Sequence, residues 1–466
     1  MNKILTVIST LLITSLSSFT NAELNLELPN LNLPDLGGQT GITIGSVSER
    51  ETGLKILRKL RHNGNIIEDP ELNSWIRSIG NRLTSNAPQS PTPFYFVISR
   101  DQSINAFATL GGVIVVNAGL ILRTKSESEL AAVMAHETAH VTQRHIARMI
   151  KKAEGNKFAS GAAILAGILA STKDPQAGQA IINISLATMA HKQLSFGREA
   201  ESEADRVGLR ILARSGYNPN AMPSFLEKLE QFSDSQNTDV REYLQSHPLT
   251  FKRVSDTQER AKKYGVYKVK NKLLYSYMKE KLRILSKANS QPVIKGNSRI
   301  KAYSTALNLA RHNNIAGALQ TIGFKSKVIP ETILITKLLN KQHRYKEALL
   351  RLAPLLEVYL GNEALAIIAA RAYLANGQYA EAWNVINQIT VFEQTSLEFF
   401  EVKQQVARST GHRSEAFLAA AEKNIRKGNY RSATSLLRQA IKLPDSNESE
   451  ILNMEKLLAQ IKGLRE

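Results

Sequence analysis

The sequence contains no cysteine among its 466 residues. Disulfide scaffolds and thiolate zinc sites are therefore excluded, and any bound metal must be held by histidine, glutamate or aspartate. Acidic residues are few relative to basic ones, 41 against 60, which gives a formal net charge of +19. The apolar fraction of 43% is ordinary, so the chain is expected to fold, and its length predicts two or three domains.

Long apolar runs are also missing, apart from the N-terminus. Residues 1–22 have a charged start, an apolar core and a small residue at Ala22, which is typical of a signal peptide. An uncleaved anchor is the alternative, and either interpretation predicts export, to a bacterial periplasm. Residues 23–45 lack a helical period and are predicted to be an extended leader. No later segment reaches the roughly 20 apolar residues that span a bilayer.

The motif around which the chain is organised is His-Glu-Thr-Ala-His at residues 136–140. On a helix, His136 and His140 lie one above the other on the same face. Two imidazoles in this arrangement can bind one zinc ion at about 2.0–2.1 Å, while Glu137 acts as a general base toward water. A chance match on a surface helix is the alternative. Charged groups in such an apolar stretch are costly unless a cation compensates them, which favours the metal site.

The start of this helix is marked by polar residues. Ser126 or Ser128 is predicted to cap it, and Glu127 and Glu129 follow in the first turn, where the helix dipole favours negative charge. The motif is therefore predicted to lie in the second half of a well-defined helix.

A catalytic zinc needs a third protein ligand. A histidine six residues after the second one is ruled out, because Ile146 occupies that place. His145 lies about 140° around the helix from His140 and is predicted to point elsewhere. A later helix, opening at Arg198, offers Glu201 and Asp205 on one face. Glu201 is the predicted third ligand, and Asp205 is predicted to orient a histidine or to assist proton transfer.

Other elements follow from the spacing of apolar residues. Helices are predicted at 48–60 and 69–83, and short strands at 94–98 and 113–116, which together place a small sheet ahead of the metal helix. The outer edge of that sheet would offer backbone groups to an extended substrate. An apolar helix at 158–171 is too short to span a bilayer; core packing, an interfacial position and a cover over the site remain open for it.

Much of the basic charge is concentrated in one stretch. Between Phe251 and Lys301 there are fifteen lysines and arginines against three acids. Nucleic acid is not predicted as a partner, because no recognition motif accompanies the charge. A peripheral contact with an anionic membrane surface, an acidic partner or a simple solvated face remain as interpretations. Arg253 could pair with an acid near the metal or with the substrate.

A repeat of 34 residues runs through the C-terminal part. Ala348, Ala382 and Ala416 are spaced by this interval, which is the tetratricopeptide period of paired helices. Gly377 and Gly411 keep the same interval, and Ala433 then begins a unit after only 17 residues. Unrelated helical hairpins are the alternative. Such arrays form concave surfaces for partner proteins.

With these motifs in place, the sequence resembles the gluzincin peptidases of the HtpX and CAAX-prenyl-protease group. Further stretches that resemble a periplasmic member of the group are 105–108 with 111–112, 134–145, 174–178 and 246–249. The resemblance covers most of residues 45–265 and includes the helical repeats that follow.

By position, the resemblance implies metal binding by His136, His140 and Glu201, a general-base role for Glu137 and a proton-donor role for Asp205. It also implies that His247, in a Ser-His-Pro turn, acts as a switchable fourth ligand. A loop histidine without a role is the alternative.

The sequence predicts a mainly α protein with a small β-sheet, an α+β zincin-like metalloprotease domain followed by an all-α tetratricopeptide domain. The predicted bounds are a signal peptide (1–22), a leader (23–45), a metallopeptidase domain (46–265), a basic connector (266–300) and repeats (301–466).

The resemblance implies an exported enzyme with one Zn²⁺ per chain. It also implies degradation of misfolded or stalled outer-membrane proteins and a chaperone-like role with the barrel-assembly machinery. A chaperone or scaffold with a structural or latent zinc site is the rival, and a membrane-embedded prenyl-type protease is disfavoured.

Overall fold

The structure is a computed structural model. The residues that it describes are 46–155, 197–234, 240–265, 273–286, 298–323 and 328–465. The predicted signal peptide, the leader and the apolar helix at 158–171 lie outside these residues. None of the described helices is long and apolar enough to cross a membrane.

The N-terminal half is mostly helical. Its helices are α1 (Ser46–His62), α2 (Pro70–Thr84), α3 (Ala118–Arg123), α4 (Glu127–Thr142), α5 (His145–Gly155), α6 (Arg198–Arg214), α7 (Ala221–Asp234), α8 (Arg241–Ser246), α9 (Phe251–Lys262) and α10 (Leu273–Leu285). α1 extends two residues beyond each predicted bound, and α2 begins and ends one residue later than predicted. Asp69 caps α2 by accepting from the backbone N–H groups of Glu71 and Leu72, at 3.1 and 3.0 Å.

The sheet has three described strands, β1 (Tyr95–Ser99), β2 (Ala106–Ala108) and β3 (Val113–Asn117), in the order β1-β3-β2. β1 is parallel to β3, with Tyr95 opposite Val113, whereas β2 is antiparallel to it, with Ala106 opposite Val116. All five residues of β3 are buried, as expected for a central strand covered on both faces. The sheet predicted ahead of the metal helix is therefore present.

Two helices approach their neighbours at glycines. A Cβ on Gly80 of α2 would lie 2.2 Å from the Phe96 ring of β1, so only glycine lets the ring lie against the helix. A Cβ on Gly208 of α6 would lie 3.1 Å from the backbone of Ala135 and His136. Close packing at Gly208 brings α6 directly beside the helix that carries the predicted metal ligands.

The basic segment is not a uniformly solvated face. Lys279 and Lys281 of α10 are only 4% and 3% exposed. The ammonium of Lys281 forms ion pairs with Asp69, at 2.8 Å, and with Glu71. α10 lies within the predicted connector and is a largely buried helix. Its apolar side chains and these two lysines pack on the N-terminal half. The surface interpretation of this basic stretch was wrong for these two lysines.

The C-terminal half continues as a series of helices. They are α11 (Ser298–Arg311), α12 (Ile315–Ile322), α13 (Ile329–Lys341), α14 (Tyr345–Val358), α15 (Glu363–Ala375), α16 (Tyr379–Asn387), α17 (Leu397–Ser409), α18 (Arg413–Arg426), α19 (Tyr430–Ile441) and α20 (Glu448–Arg465).

Five of these helices have a buried alanine at the same position. The fourth residue of α12, α14, α16, α18 and α19 is a buried alanine, at most 3% exposed. These residues are Ala318, Ala348, Ala382, Ala416 and Ala433. The residue two positions before each helix has a positive φ. These residues are Asn313, His343, Gly377, Gly411 and Gly428. Ala318 precedes Ala348 by 30 residues rather than 34, so the unit at α12 falls outside the period predicted from the sequence.

The two halves meet at a loop after α16. The backbone N–H of Phe96 donates to Oε1 of Gln394 at 3.0 Å, and Nε2 of Gln394 donates to the carbonyl of Phe94 at 3.1 Å. Arg61 donates to the carbonyl of Glu393 at 2.8 Å. The edge of β1 away from β3 is thus bonded to Gln394 and to the backbone of Asn65 and Ile67, and β2 is the edge strand beside α4. The predicted fold class, a small-sheet α+β domain followed by a helical repeat region, is confirmed.

Candidate metal centre

The metal helix α4 is buried along most of its length. Ser126 caps it by accepting from the N–H of Glu129 at 3.2 Å, a contact typically worth about 1 kcal/mol. Ser128, the other predicted cap, instead accepts from the N–H of Asn218 at 3.2 Å. His136 and His140 lie one turn apart, with their Nε2 atoms 3.0 Å from each other.

Glu201 reaches these imidazoles from α6. Its Oε1 lies 3.3 Å from Nε2 of His140, and its Oε2 lies 3.5 Å from Nε2 of His136. Glu201 is completely buried. The close approach at Gly208, about two turns further along α6, keeps the two helices near enough for this contact.

His247 completes the cluster. It follows α8 directly and is 1% exposed. Its Nδ1 lies 3.0 Å from Oε1 of Glu201 and 3.4 Å from Nε2 of His136. The ring of Tyr243 covers it at 4.8 Å between centroids. The structure therefore brings together all four residues predicted as ligands.

The four donor atoms fit one metal ion. They all lie within 4.8 Å of one another, and four of their separations are 3.0–3.4 Å. Ligands about 2.0–2.1 Å from a tetrahedral ion are separated by about 3.3 Å. Three imidazoles and one carboxylate are a donor set that zinc accepts. Buried nitrogens and oxygens this close favour a cation between them.

Glu137 lies beside the cluster. Its Oε2 accepts from the backbone N–H of Ala108 in β2 at 3.1 Å, and its Oε1 lies 3.5 Å from Nε2 of His247. Burial raises the pKa of the Glu137 carboxyl, and His247 and His136 offset only part of this rise. A raised pKa suits a carboxylate that takes up a proton and then gives it away.

Asp205 contacts His136 at Nδ1, the ring nitrogen that does not face the other donor atoms. Its Oδ1 lies 3.0 Å from Nδ1 of His136. The guanidinium of Arg253 donates to both oxygens of Asp205, at 2.7 and 2.9 Å, and its Nη1 lies 2.7 Å from Oε2 of Glu201. Although burial alone would raise it, Arg253 and His136 hold the pKa of Asp205 below its ordinary value. An ionised Asp205 is suited to orienting His136.

The carboxylates of Glu201 and Asp205 stabilise positive charge in the cluster. Burial alone would lower the pKa of His136, but hydrogen bonds to Asp205 and Glu201 raise it to about 10. Burial also works to raise the pKa of Glu201, yet the three histidines hold it well below its ordinary value. The site thus favours a cation among its imidazoles.

His145 is not among the four clustered donor residues, as predicted, but its ring contacts the other ring nitrogen of His140 instead of pointing away from it. α4 ends at Thr142, and Arg144 has a φ of 55°, so the angle calculated for a continuous helix does not apply. Nδ1 of His145 lies 2.8 Å from Nδ1 of His140, and Nε2 of His145 lies 3.0 Å from Oε2 of Glu203.

Sequence reasoning missed Glu203 and left Arg253 open. Glu203 is two residues from Glu201 and one among several acids at the start of α6, so nothing in the local pattern marks it. Arg253 pairs with acids near the metal site, one of the two alternatives weighed for it. Its signal was its position shortly after the Ser-His-Pro turn.

Comparisons with known proteins agree with this geometry. The model of peptidase family M48 matches residues 70–261. A beta-barrel assembly-enhancing protease of Escherichia coli (strain K12) is 33% identical over 425 residues, which cover 88% of this chain and 86% of that protein. The chain belongs to peptidase family M48 and is a metalloendopeptidase.

The likeness extends through the helical repeats. A beta-barrel assembly-enhancing protease of Yersinia pestis is 31% identical over 481 residues, covering 99% of this chain and 98% of that protein. The mitochondrial metalloendopeptidase OMA1 of Schizosaccharomyces pombe is 28% identical over 187 residues, 40% of this chain and 52% of that protein. The resemblance found in the sequence is thus confirmed, and the chain is similar to the first group along nearly its whole length.

Proposed function

We propose that the protein is an exported, zinc-dependent endopeptidase that acts on misfolded or stalled outer-membrane proteins and assists their assembly. The observation that carries the zinc site is the convergence of His136, His140, Glu201 and His247 beside Glu137. The proposal of client and compartment is supported by the signal-peptide pattern and by the names of the relatives.

The chain's residues divide the chemistry between them. His136, His140 and Glu201 would hold the zinc, which when bound lowers the pKa of water and polarises the scissile carbonyl. Glu137, fixed by the N–H of Ala108, accepts the proton from water and transfers it to the leaving nitrogen. Asp205 orients His136, and its pairing with Arg253 favours this role over proton donation.

His247 is proposed as a switchable fourth ligand. Its Nδ1 lies among the donor atoms of the other three residues, in the place where water or a substrate carbonyl would have to enter. This position of His247 also favours the second candidate function, a chaperone or scaffold, because a zinc ion bound by all four residues would be latent. In the proposed enzyme, His247 must leave before a peptide is cleaved.

The repeat region is proposed as the docking surface for the barrel-assembly machinery. On α14 and in the turn directly after it, three aliphatic side chains are largely exposed to solvent. They are Leu350 (75%), Val358 (70%) and Leu360 (73%). Exposed apolar groups of this kind favour a protein partner. A peripheral membrane contact is proposed as well, supported by the net charge of +19.

The Glu137→Gln variant tests the enzyme. Zinc content should stay at one ion per chain, because Glu137 is not proposed as a ligand. Cleavage of casein and of a urea-unfolded outer-membrane β-barrel protein should fall by about 10²–10⁴-fold. Metal analysis by mass spectrometry and gel-based cleavage rates provide the two readouts.

The rival predicts a different pattern. If the variant assembles outer-membrane proteins in cells as well as wild type does, and wild type cleaves neither substrate, the scaffold function is correct. His247→Ala is the companion variant: with zinc retained, cleavage should rise several-fold. Equal, low cleavage with full zinc would remove the switch.

A further inference from the structure

His140 can bind a metal through Nε2 only if its proton sits on Nδ1. Its Nε2 lies among the donor atoms, 3.0 Å from Nε2 of His136 and 3.3 Å from Oε1 of Glu201. Some neighbouring group must therefore accept the Nδ1 proton and hold the ring. For His136 that group is the carboxylate of Asp205.

The neighbour of His140 at Nδ1 is another imidazole. Nδ1 of His145 lies 2.8 Å away, and His145 is 3% exposed. A contact between two ring nitrogens is a hydrogen bond only when one carries a proton and the other a lone pair. The contact alone does not say which ring is the donor.

Glu203 decides the direction. Its Oε2 lies 3.0 Å from Nε2 of His145, and Arg148 donates to the same oxygen at 2.7 Å. An ionised carboxylate only accepts, so the proton of a neutral His145 lies on Nε2. Nδ1 of His145 then has a lone pair and accepts from Nδ1 of His140. The lone pair of His140 is left on Nε2, facing the other ligand atoms.

We propose that His145, held by Glu203, is a positioning residue that fixes the tautomer and orientation of His140 for metal binding. His136 is supported in a similar way. Its partner Asp205 is bound by Arg253, as Glu203 is bound by Arg148. The difference is that Glu203 does not contact His140 directly but acts through the imidazole of His145. This inference rests on the proposed zinc site.

The test is zinc affinity at fixed pH, measured by competition with a chromophoric chelator. His145→Phe keeps a ring of similar size but offers no acceptor, and zinc binding should weaken by about 10–100-fold. His145→Asn places an amide oxygen near the position of Nδ1, and its affinity should stay within about threefold of wild type. The visible absorption of the Co²⁺-loaded protein should shift in His145→Phe and not in His145→Asn, since it reports ligand geometry.

A matched pair tests Glu203 without touching the histidine. Glu203→Gln should weaken zinc binding several-fold, whereas Glu199→Gln, one turn earlier on the exposed part of α6, should leave it unchanged. This pair decides the case if His145→Phe does not fold, as judged by circular dichroism and gel filtration.

Two results would overturn the role of His145. One is wild-type affinity in folded His145→Phe, and the other is equal weakening in His145→Phe and His145→Asn, which would point to packing alone. Identical affinity in Glu203→Gln and Glu199→Gln would also overturn the role of Glu203. Absence of zinc binding in wild type would instead contradict the proposed function.

Discussion

In the metal centre, charged side chains are buried within a few ångströms of one another, whereas the repeat helices bury alanines and keep many of their ion pairs near the surface. Arg253 and Asp205 are 5% and 4% exposed, and the pair is bidentate. In the repeats, the side chains of Arg344 and Glu347 are 39% and 49% exposed although their atoms also lie 2.7 Å apart.

The difference shows what each region requires. The repeats need a small residue at one position of five helices and a residue with positive φ before each of those five, so many sequences satisfy them. The metal centre needs each buried charge to be compensated by another, because an unpaired one is costly. Single substitutions should therefore have their largest effects in the centre.

The largest expected effect comes from removing a buried partner. Arg253→Met leaves the Asp205 and Glu201 carboxylates without their guanidinium, and the metal-free chain should lose about 3–5 kcal/mol of unfolding free energy. Arg344→Met is the control, and its urea midpoint should not change because solvent already screens that pair. Equal shifts in both variants would mean that burial does not separate the two regions.

A buried lysine should make stability depend on pH. Burial, with a contribution from Lys228, lowers the pKa of Lys279 to about 8, although Glu129 and Glu280 act in the opposite direction. Between pH 8 and the ordinary lysine value, the unfolded chain binds the proton that the folded chain has lost, so stability rises with pH.

The control for this pH dependence is the Lys279→Met variant, whose methionine carries no titratable group. From pH 7 to pH 10, the unfolding free energy of wild type should rise by about 2 kcal/mol relative to the variant. Urea unfolding at several pH values measures it. Parallel curves for the two proteins would show that Lys279 titrates normally.

A smaller effect is expected where the repeats are packed tightly. Ala382→Leu adds methyl groups at a completely buried position and should cost about 2 kcal/mol. Ala380→Leu, two residues earlier and exposed, should change stability by less than about 0.5 kcal/mol. If Ala382→Leu were equally well tolerated, the shared alanine position would not be a packing constraint.

The sequence predicted the parts of this molecule that follow a local period. The spacing of His136 and His140 depends only on the period of one helix, and the spacing of Ala348 and Ala382 depends only on the length of the two-helix repeat. The contact of His145 with Nδ1 of His140 was not predicted, because the break at Arg144 is not visible as glycine or proline. The contact of Gln394 with β1 joins residues about 300 apart, and no local pattern could indicate it.

The central claim is that three imidazoles and one carboxylate hold a single zinc ion. X-ray absorption spectroscopy of the purified protein, together with metal analysis, tests it most directly. We predict one zinc per chain with imidazole and oxygen ligands at about 2.0–2.1 Å, and loss of the metal in Glu201→Ala. Full zinc content in that variant, or a spectrum without imidazole ligands, would contradict the account.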